Sequence, residues 1–481
     1  MFWQRFRPDR RPRPGGRRAT RTALRALFPA VLGMALVAPA AEAAPPGAQA
    51  APAASGTARV DTAGTDNPRP PGDGDGHADG DGSKDRLGRP TVTRLGTFGG
   101  IRYLRYDGVF EGRTSTGRFR VPYRISAPAD PHRGNGTVLV EPPHFAAGLG
   151  TLDSYLEPKL LFSRGFVHAG VGWSTFRNRI LDPSVPGTFI EGGFLEDGER
   201  VDDEIVTEFG RALLDARRKV GKVRHRYVTG FSDSSYPVLR LIKSGAASGV
   251  FDLAMPFTTD TFDPQTDMAT GRYRGKVVVV NSEADDSSTL IDRGVLPHRY
   301  RFYVVAGTPH VPDLLAVPPA LPGLRGSTPA TFVPALRAHF LQGHDWVRKH
   351  KAPPTSTQLE TSRNGTVLRD DQGNAFTEDR TGRRVPRLPF VELGEARYIP
   401  GFIGSYDNVR TVGQLGFRDH AAYLEAFHRE VRDYLRAGYI LPEDAKVMRK
   451  RAALCPPSTY TETYRDHYDE FLAVTPCAAA R

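Results

Sequence analysis

The distribution of apolar positions changes character along the chain. Between Val92 and Ile125, three segments read as strands separated by Gly-containing turns: Val92–Phe98, Ile101–Phe110 and Gly117–Ile125. Beyond that point the apolar positions fall in short unbroken runs: Gly136–Val140, Phe166–Gly172, Arg226–Thr229, Phe251–Phe257, Lys276–Val280 and Arg301–Ala306. Such runs suit strands buried on both faces. Stretches with helical spacing lie between them. Val201–Val220 places Ile205, Val206, Phe209, Leu213 and Leu214 on one face, and Val238–Ile242 predicts a second helix. The alternation predicts an α/β fold with a mostly parallel central sheet and helices on both faces. After His310 about 170 residues remain. Helical spacing recurs there in Phe332, Val333, Leu336 and Phe340, and again in Leu424, Phe427, Val431, Tyr434 and Leu435, with Gly438 as a stop.

Composition removes the first ninety residues from that fold. Residues 1–43 hold nine Arg against Asp9 and Glu42, then an apolar run from Ala26 to Ala38 and the small-residue site Ala41-Glu42-Ala43. This order is that of a secretory signal peptide, with the Sec and twin-arginine routes both open. The run is too short to span a bilayer, which needs about 20 residues, so no integral membrane span is expected in the mature chain. Residues 44–90 are Ala, Pro, Gly and Asp with Val60 and Leu87 as the large aliphatics, and read as a disordered linker. The Asp/Gly run from Gly72 to Gly82 lacks the closing Glu of a calcium loop. Of the net charge of +11, +4 remains beyond residue 43, without the concentrated basic patch of a nucleic-acid binder. The two cysteines, Cys455 and Cys477, are expected to form a disulfide in an exported protein, and no Cys/His cluster has zinc spacing.

The segment richest in chemistry is Tyr227-Val228-Thr229-Gly230-Phe231-Ser232-Asp233-Ser234-Ser235. A strand ends, Gly-x-Ser follows and a helix begins, which lifts a serine hydroxyl above the sheet on a tight turn. Small residues must flank the serine, and Ser234 stands where glycine is usual. A second tripeptide, Gly172-Trp173-Ser174, has no helix start behind it. Downstream of Ser232, the strand ending at Asn281 is followed by Glu283, Asp285 and Asp286, and the strand ending at Ala306 is followed by His310. Only His310, and not His144, His298 or His344, follows a strand after the acid. Asp285 is favoured as the acid by its reach from the strand, with Glu283 the alternative; Asp286 reads as solvated or as a helix cap near Ser287 and Ser288. An oxyanion hole needs two N–H donors: Asp233, next to the serine, and one from the loop Glu141-Pro142-Pro143-His144-Phe145. Proline has no N–H, which leaves His144 or Phe145.

The segments Gly230–Ser234, Asn281–Asp285 and Ala306–His310 resemble the α/β-hydrolase superfamily. Ala306-Gly307-Thr308-Pro309-His310 and Asp371-Gln372-Gly373-Asn374 narrow the resemblance to a bacterial "alpha/beta hydrolase domain" family, over roughly residues 92–453. The resemblance implies a serine hydrolase using Ser232, Asp285 or Glu283, and His310, with no metal and no organic cofactor. The expected activity is hydrolysis of a small-molecule carboxylic ester through an acyl-enzyme. A peptidase or amidase, or a non-catalytic hydrolase fold that binds a partner, remains the alternative. Residues 91–481 are expected to form one domain. Its extension, from about 351, would pack the 419–438 helix on the body and line the pocket with loops from 351–415, after a closing helix from Pro329 to Trp346.

Overall fold

The computed structural model describes residues 87–454 and 457, except 116, 145–154, 157, 174–178, 182–188, 192–202, 261, 287–288 and 312–327. The expected signal peptide, nearly all of the linker, Phe145, Ser174, and both Cys455 and Cys477 lie outside the described residues.

Strands β1 (Thr91–Phe98), β2 (Ile101–Thr114) and β3 (Gly117–Pro128) form an antiparallel meander. Then follow β4 (Thr137–Glu141), β5 (Val167–Val171) and a small hairpin of β6 (Arg179–Leu181) with β7 (Phe189–Glu191). The remaining core strands are β8 (His225–Phe231), β9 (Leu253–Phe257), β10 (Lys276–Ser282) and β11 (Tyr300–Val305). Among the described residues the central sheet has nine strands, in the order β1-β2-β3-β5-β4-β8-β9-β10-β11. From β5 to β11 the neighbours are parallel.

Successive side chains of a strand point to opposite faces, so a continuous apolar run requires a cover on each side. In β10, Val277 and Val279 join one core, with Ile205 and Phe209 of the helix Glu204–Ala212 and Val238 and Ile242 of the helix Ser235–Ser244. Val278 and Val280 join the other, with Val333, Leu336 and Phe340 of the helix Val333–Lys349. The predicted helix over Val201–Val220 is shorter than its pattern: it ends at Ala212, and Arg217–Val220 forms a separate turn. Leu213 is buried but Leu214, expected on the same face, is 39% exposed. Between Leu214 and Val220 the sequence offers only Ala216 to a core, too little apolar surface to hold further turns against the sheet.

The extension continues the second core. The helix His420–Ala437 starts at Asp419, whose carboxylate accepts the Ala422 N–H, and stops at Gly438 in the left-handed conformation. Its buried Tyr423, Phe427, Val431 and Tyr434 share a cluster with Tyr303 and Val305 of β11, and Leu424 and Leu435 are partly buried beside it. Strand β12 (Thr357–Leu359) lies along β11 and pairs with β13 (Thr377–Asp379). An edge strand presents unpaired N–H groups. Here the Phe302 N–H donates to Ser356 Oγ at 3.1 Å and the Val304 N–H to Thr357 Oγ1 at 3.3 Å. Within the Asp371–Asn374 segment, buried Asn374 accepts from the Tyr398 N–H and donates to Ala396 O. It thereby fixes β14 (Arg397–Ile399), which pairs with β15 (Ser405–Asp407). None of the helices described is long and apolar enough to cross a membrane.

Candidate active site

The turn after β8 is built as its sequence requires. Ser232 has φ +50°, a left-handed conformation that costs a non-glycine residue about 1–2 kcal/mol. The 3-10 turn Ser232–Ser234, which runs on into the helix Ser235–Ser244, holds it there. A Cβ on Gly230 would lie 2.0 Å from the Ser234 carbonyl oxygen, so only glycine fits two residues before the serine. Ser234 in place of glycine is accommodated by use of its hydroxyl, which accepts the Phe231 N–H at 2.9 Å and donates to Phe231 O at 3.0 Å. Two further hydroxyls brace the turn: Ser235 Oγ donates to Ser232 O, and Thr258 Oγ1 accepts the Ser232 N–H at 3.2 Å. The amide of Asp233 is the second of this first helical turn, where N–H groups have no acceptor within the helix.

The two candidate acids have separate places. Asp285 Oδ1 meets His310 Nδ1 at 2.6 Å, and its Oδ2 accepts the Ser282 hydroxyl at 2.6 Å. Glu283, two residues earlier on the same short 3-10 turn, faces elsewhere. One oxygen accepts the Gly307 N–H at 2.7 Å, and the other pairs with Arg369 of the extension at 2.7 Å. The structure thus brings Asp285, and not Glu283, against the histidine. Glu283 joins the acid turn, the histidine loop and the extension. Asn281 secures the base of the turn, its amide donating to Thr259 O and Asp285 O. Of the two roles expected for Asp286, solvation does not hold: Oδ1 is buried without a hydrogen-bond partner, and burial, with Glu283 adding, pushes its carboxyl up to about 6; the other, a cap near Ser287 and Ser288, falls on residues outside those described.

Phe231 is the hub of the site. Its ring centroid is 5.1 Å from that of His144, 5.4 Å from His310 and 5.2 Å from Tyr155. The loop after β4 and the histidine loop therefore meet on one ring, beside Ser232. The Pro143 carbonyl accepts from Trp173 Nε1 at 3.3 Å. Across a trans peptide the C=O and N–H point in opposite directions, so the His144 amide is turned away from Trp173. Below this loop, fully buried Glu141 meets His168 at 2.8 Å. Phe145, the other candidate donor, is outside the described residues.

Several elements of the site had no signal in the sequence pattern: Arg369, Trp173, Thr258, and the segment Gly401–Ile403. That segment runs along the histidine loop, where the His310 N–H donates to Gly401 O and the Val311 N–H to Phe402 O, each at 2.8 Å. The Phe402 ring stacks on His310 with centroids 5.1 Å apart. Each lies far in sequence from the residue it contacts, beyond the reach of any local pattern.

A comparison with curated proteins finds no match. Among solved structures, an S-formylglutathione hydrolase from Agrobacterium tumefaciens is 13% identical with a TM-score of 0.29, over 44% of this chain and 90% of that one. XC6422 from Xanthomonas campestris, described as an a/b serine hydrolase without lid, is 12% identical with a TM-score of 0.27, over 42% and 85%. Est1E from Butyrivibrio proteoclasticus is 10% identical with a TM-score of 0.24, over 46% and 90%. The family model for the alpha/beta hydrolase domain matches residues 111–450, which take in β3 to β11, the candidate serine, acid and histidine, and most of the extension. On that match and on its mostly parallel sheet, this chain belongs to the alpha/beta hydrolase domain family and is a hydrolase.

Proposed function

We propose that the protein is an exported serine hydrolase that cleaves small carboxylic esters, with Ser232 as nucleophile, His310 as base and Asp285 as the acid that orients it. The observation carrying this reading is the 2.6 Å Asp285–His310 pair packed on Phe231, next to a serine in the left-handed conformation. In the reaction, Ser232 Oγ adds to the ester carbonyl while His310 Nε2 takes its proton. The same proton then passes to the leaving alkoxide as the C–O bond breaks, leaving an acyl-serine. Water, deprotonated by His310, adds to the acyl group and releases the acid. Asp285 holds the imidazole through Nδ1 and stabilises its cationic form. The amide of Asp233, with that of His144 or Phe145, is the proposed donor pair to the oxyanion, each worth about 2.7–4 kcal/mol in sites of this kind.

Labelling with a fluorophosphonate, followed by peptide mapping, tests the nucleophile. The label should fall on Ser232, and Ser232→Ala should lose at least 10³-fold in kcat. Retention of more than about a tenth of kcat would assign another nucleophile. Failure to label, with no turnover of short or long acyl esters, would favour a binding protein on a hydrolase fold. Faster cleavage of an amide than of the ester of the same acid would favour an amidase. Export is tested by recovering the protein from the medium and reading its N-terminus, expected after Ala43.

A further inference from the structure

The imidazole of His310 packs beside two aromatic rings. Phe231, 5.4 Å away, is 1% exposed and belongs to the second core. Phe402, 5.1 Å away and inclined by 17°, is 51% exposed. An exposed phenylalanine is ordinarily free to move, but this one is held by its backbone. Its carbonyl accepts the Val311 N–H at 2.8 Å, the Gly401 carbonyl accepts the His310 N–H, and Ile403 forms a parallel bridge with Val311. Gly404, just beyond, is packed so closely that a Cβ there would lie 2.9 Å from Pro309 Cβ and 2.7 Å from Thr328 Cγ2. The backbone that carries the ring is thus fixed along the histidine loop, with the ring stacked on the imidazole and half of the residue's surface uncovered.

The side of the substrate that it meets follows from the chemistry. His310 must reach the leaving oxygen to protonate it, so the alcohol portion of the ester lies next to the imidazole. A ring stacked on that imidazole borders the alcohol portion, not the acyl chain. We propose that Phe402, supplied by the C-terminal extension, is a specificity-determining residue that selects esters with apolar, particularly aromatic, alcohol groups. This proposal rests on the Ser232–His310 reading.

The test measures kcat/KM on two series of esters. One holds the acyl group at butyryl and varies the alcohol from ethyl to benzyl; the other holds ethyl and varies the acyl chain from acetyl to octanoyl. In Phe402→Ala, the benzyl-to-ethyl ratio should fall by about 3- to 10-fold relative to the unaltered protein, the range of one aromatic contact. The acyl-series ratios should stay as they were. Phe402→Tyr should keep the benzyl preference, and Phe402→Leu, which retains bulk without the aromatic face, should recover only part of it. An unchanged benzyl-to-ethyl ratio would overturn the proposal. So would an altered acyl preference, or a uniform loss over both series, which would make Phe402 a support for His310 alone. Fluorophosphonate labelling of Ser232 in each variant separates the two levels: activity surviving Ser232→Ala removes the underlying reading. A dead Ser232→Ala with an unaltered alcohol ratio in Phe402→Ala removes only this one.

Discussion

The division of labour between Asp285 and Glu283 can be tested quantitatively. The two carboxylates sit two residues apart on one turn, yet their contacts predict opposite phenotypes. Asp285→Asn is isosteric and leaves an acceptor near Ser282 and His310, so unfolding free energy should change by about 1 kcal/mol or less. The substitution removes the charge facing the imidazolium and favours the wrong histidine tautomer, which in triads of this kind costs about 10⁴ in kcat. Glu283→Ala should act on stability instead. It strips the buried Gly307 N–H of its acceptor, a loss of about 1–3 kcal/mol. It also removes the partner of Arg369, whose side chain is 39% exposed and regains water, so that pair adds about 1 kcal/mol at most. The total is about 1–4 kcal/mol. The loss in kcat should stay near tenfold, because Gly401 still holds the histidine loop by the His310 N–H. Glu283→Gln keeps an acceptor and should cost about 1 kcal/mol. Urea unfolding reads the first quantity, provided the slope is unchanged, and turnover of a saturating ester reads the second. A larger kcat loss in Glu283→Gln than in Asp285→Asn would transfer the orienting role to Glu283. Equal, small losses in both would remove the acid from this turn.

Gly230→Ala should reduce the rate of fluorophosphonate labelling by more than about 10²-fold, since the 2.0 Å contact with the Ser234 carbonyl can be relieved only by opening the turn that presents Ser232; labelling at the original rate would show that the turn yields without moving the serine. Burial depresses His339 to about 3, so between pH 6.5 and 3 the unfolded chain binds a proton that the folded one does not. Stability is complete above 6.5 and falls below it by about 1.4 kcal/mol per pH unit, and His339→Phe should flatten that slope in urea titrations at several pH values; an unchanged slope would refute it. Truncation after residue 350 should give insoluble protein, because it uncovers Tyr303 and Val305 and takes away the hydroxyls that meet the edge of β11; a soluble, fully active truncate with one cooperative melt would make the extension a separate module.

Local rules account for much of what the chain displays. Continuous apolar runs such as Val277–Val280 can be satisfied only between two covering layers, so the buried parallel sheet and its helices are legible from spacing alone. Gly-x-Ser between a strand and a helix confines Ser232 to a left-handed turn by sterics acting within five residues, and Asp419 and Gly438 bound their helix by contacts of four residues or fewer. The order serine, acid, histidine at successive strand ends is likewise a property of the linear chain. Tertiary packing decided what lies beyond that range. Asp285 is favoured over Glu283 in the sequence only by its reach from the strand, and the two are told apart by contacts with Gly307, 24 residues on from Glu283, and with Arg369 in the extension. The end of the helix at Ala212 depended on which further residues the sheet could bury. Phe402 carries no local mark at all. It meets His310 about ninety residues away because the extension folds back along the histidine loop, and a pairing of that span is set by how the whole core closes, not by any rule that acts along the chain.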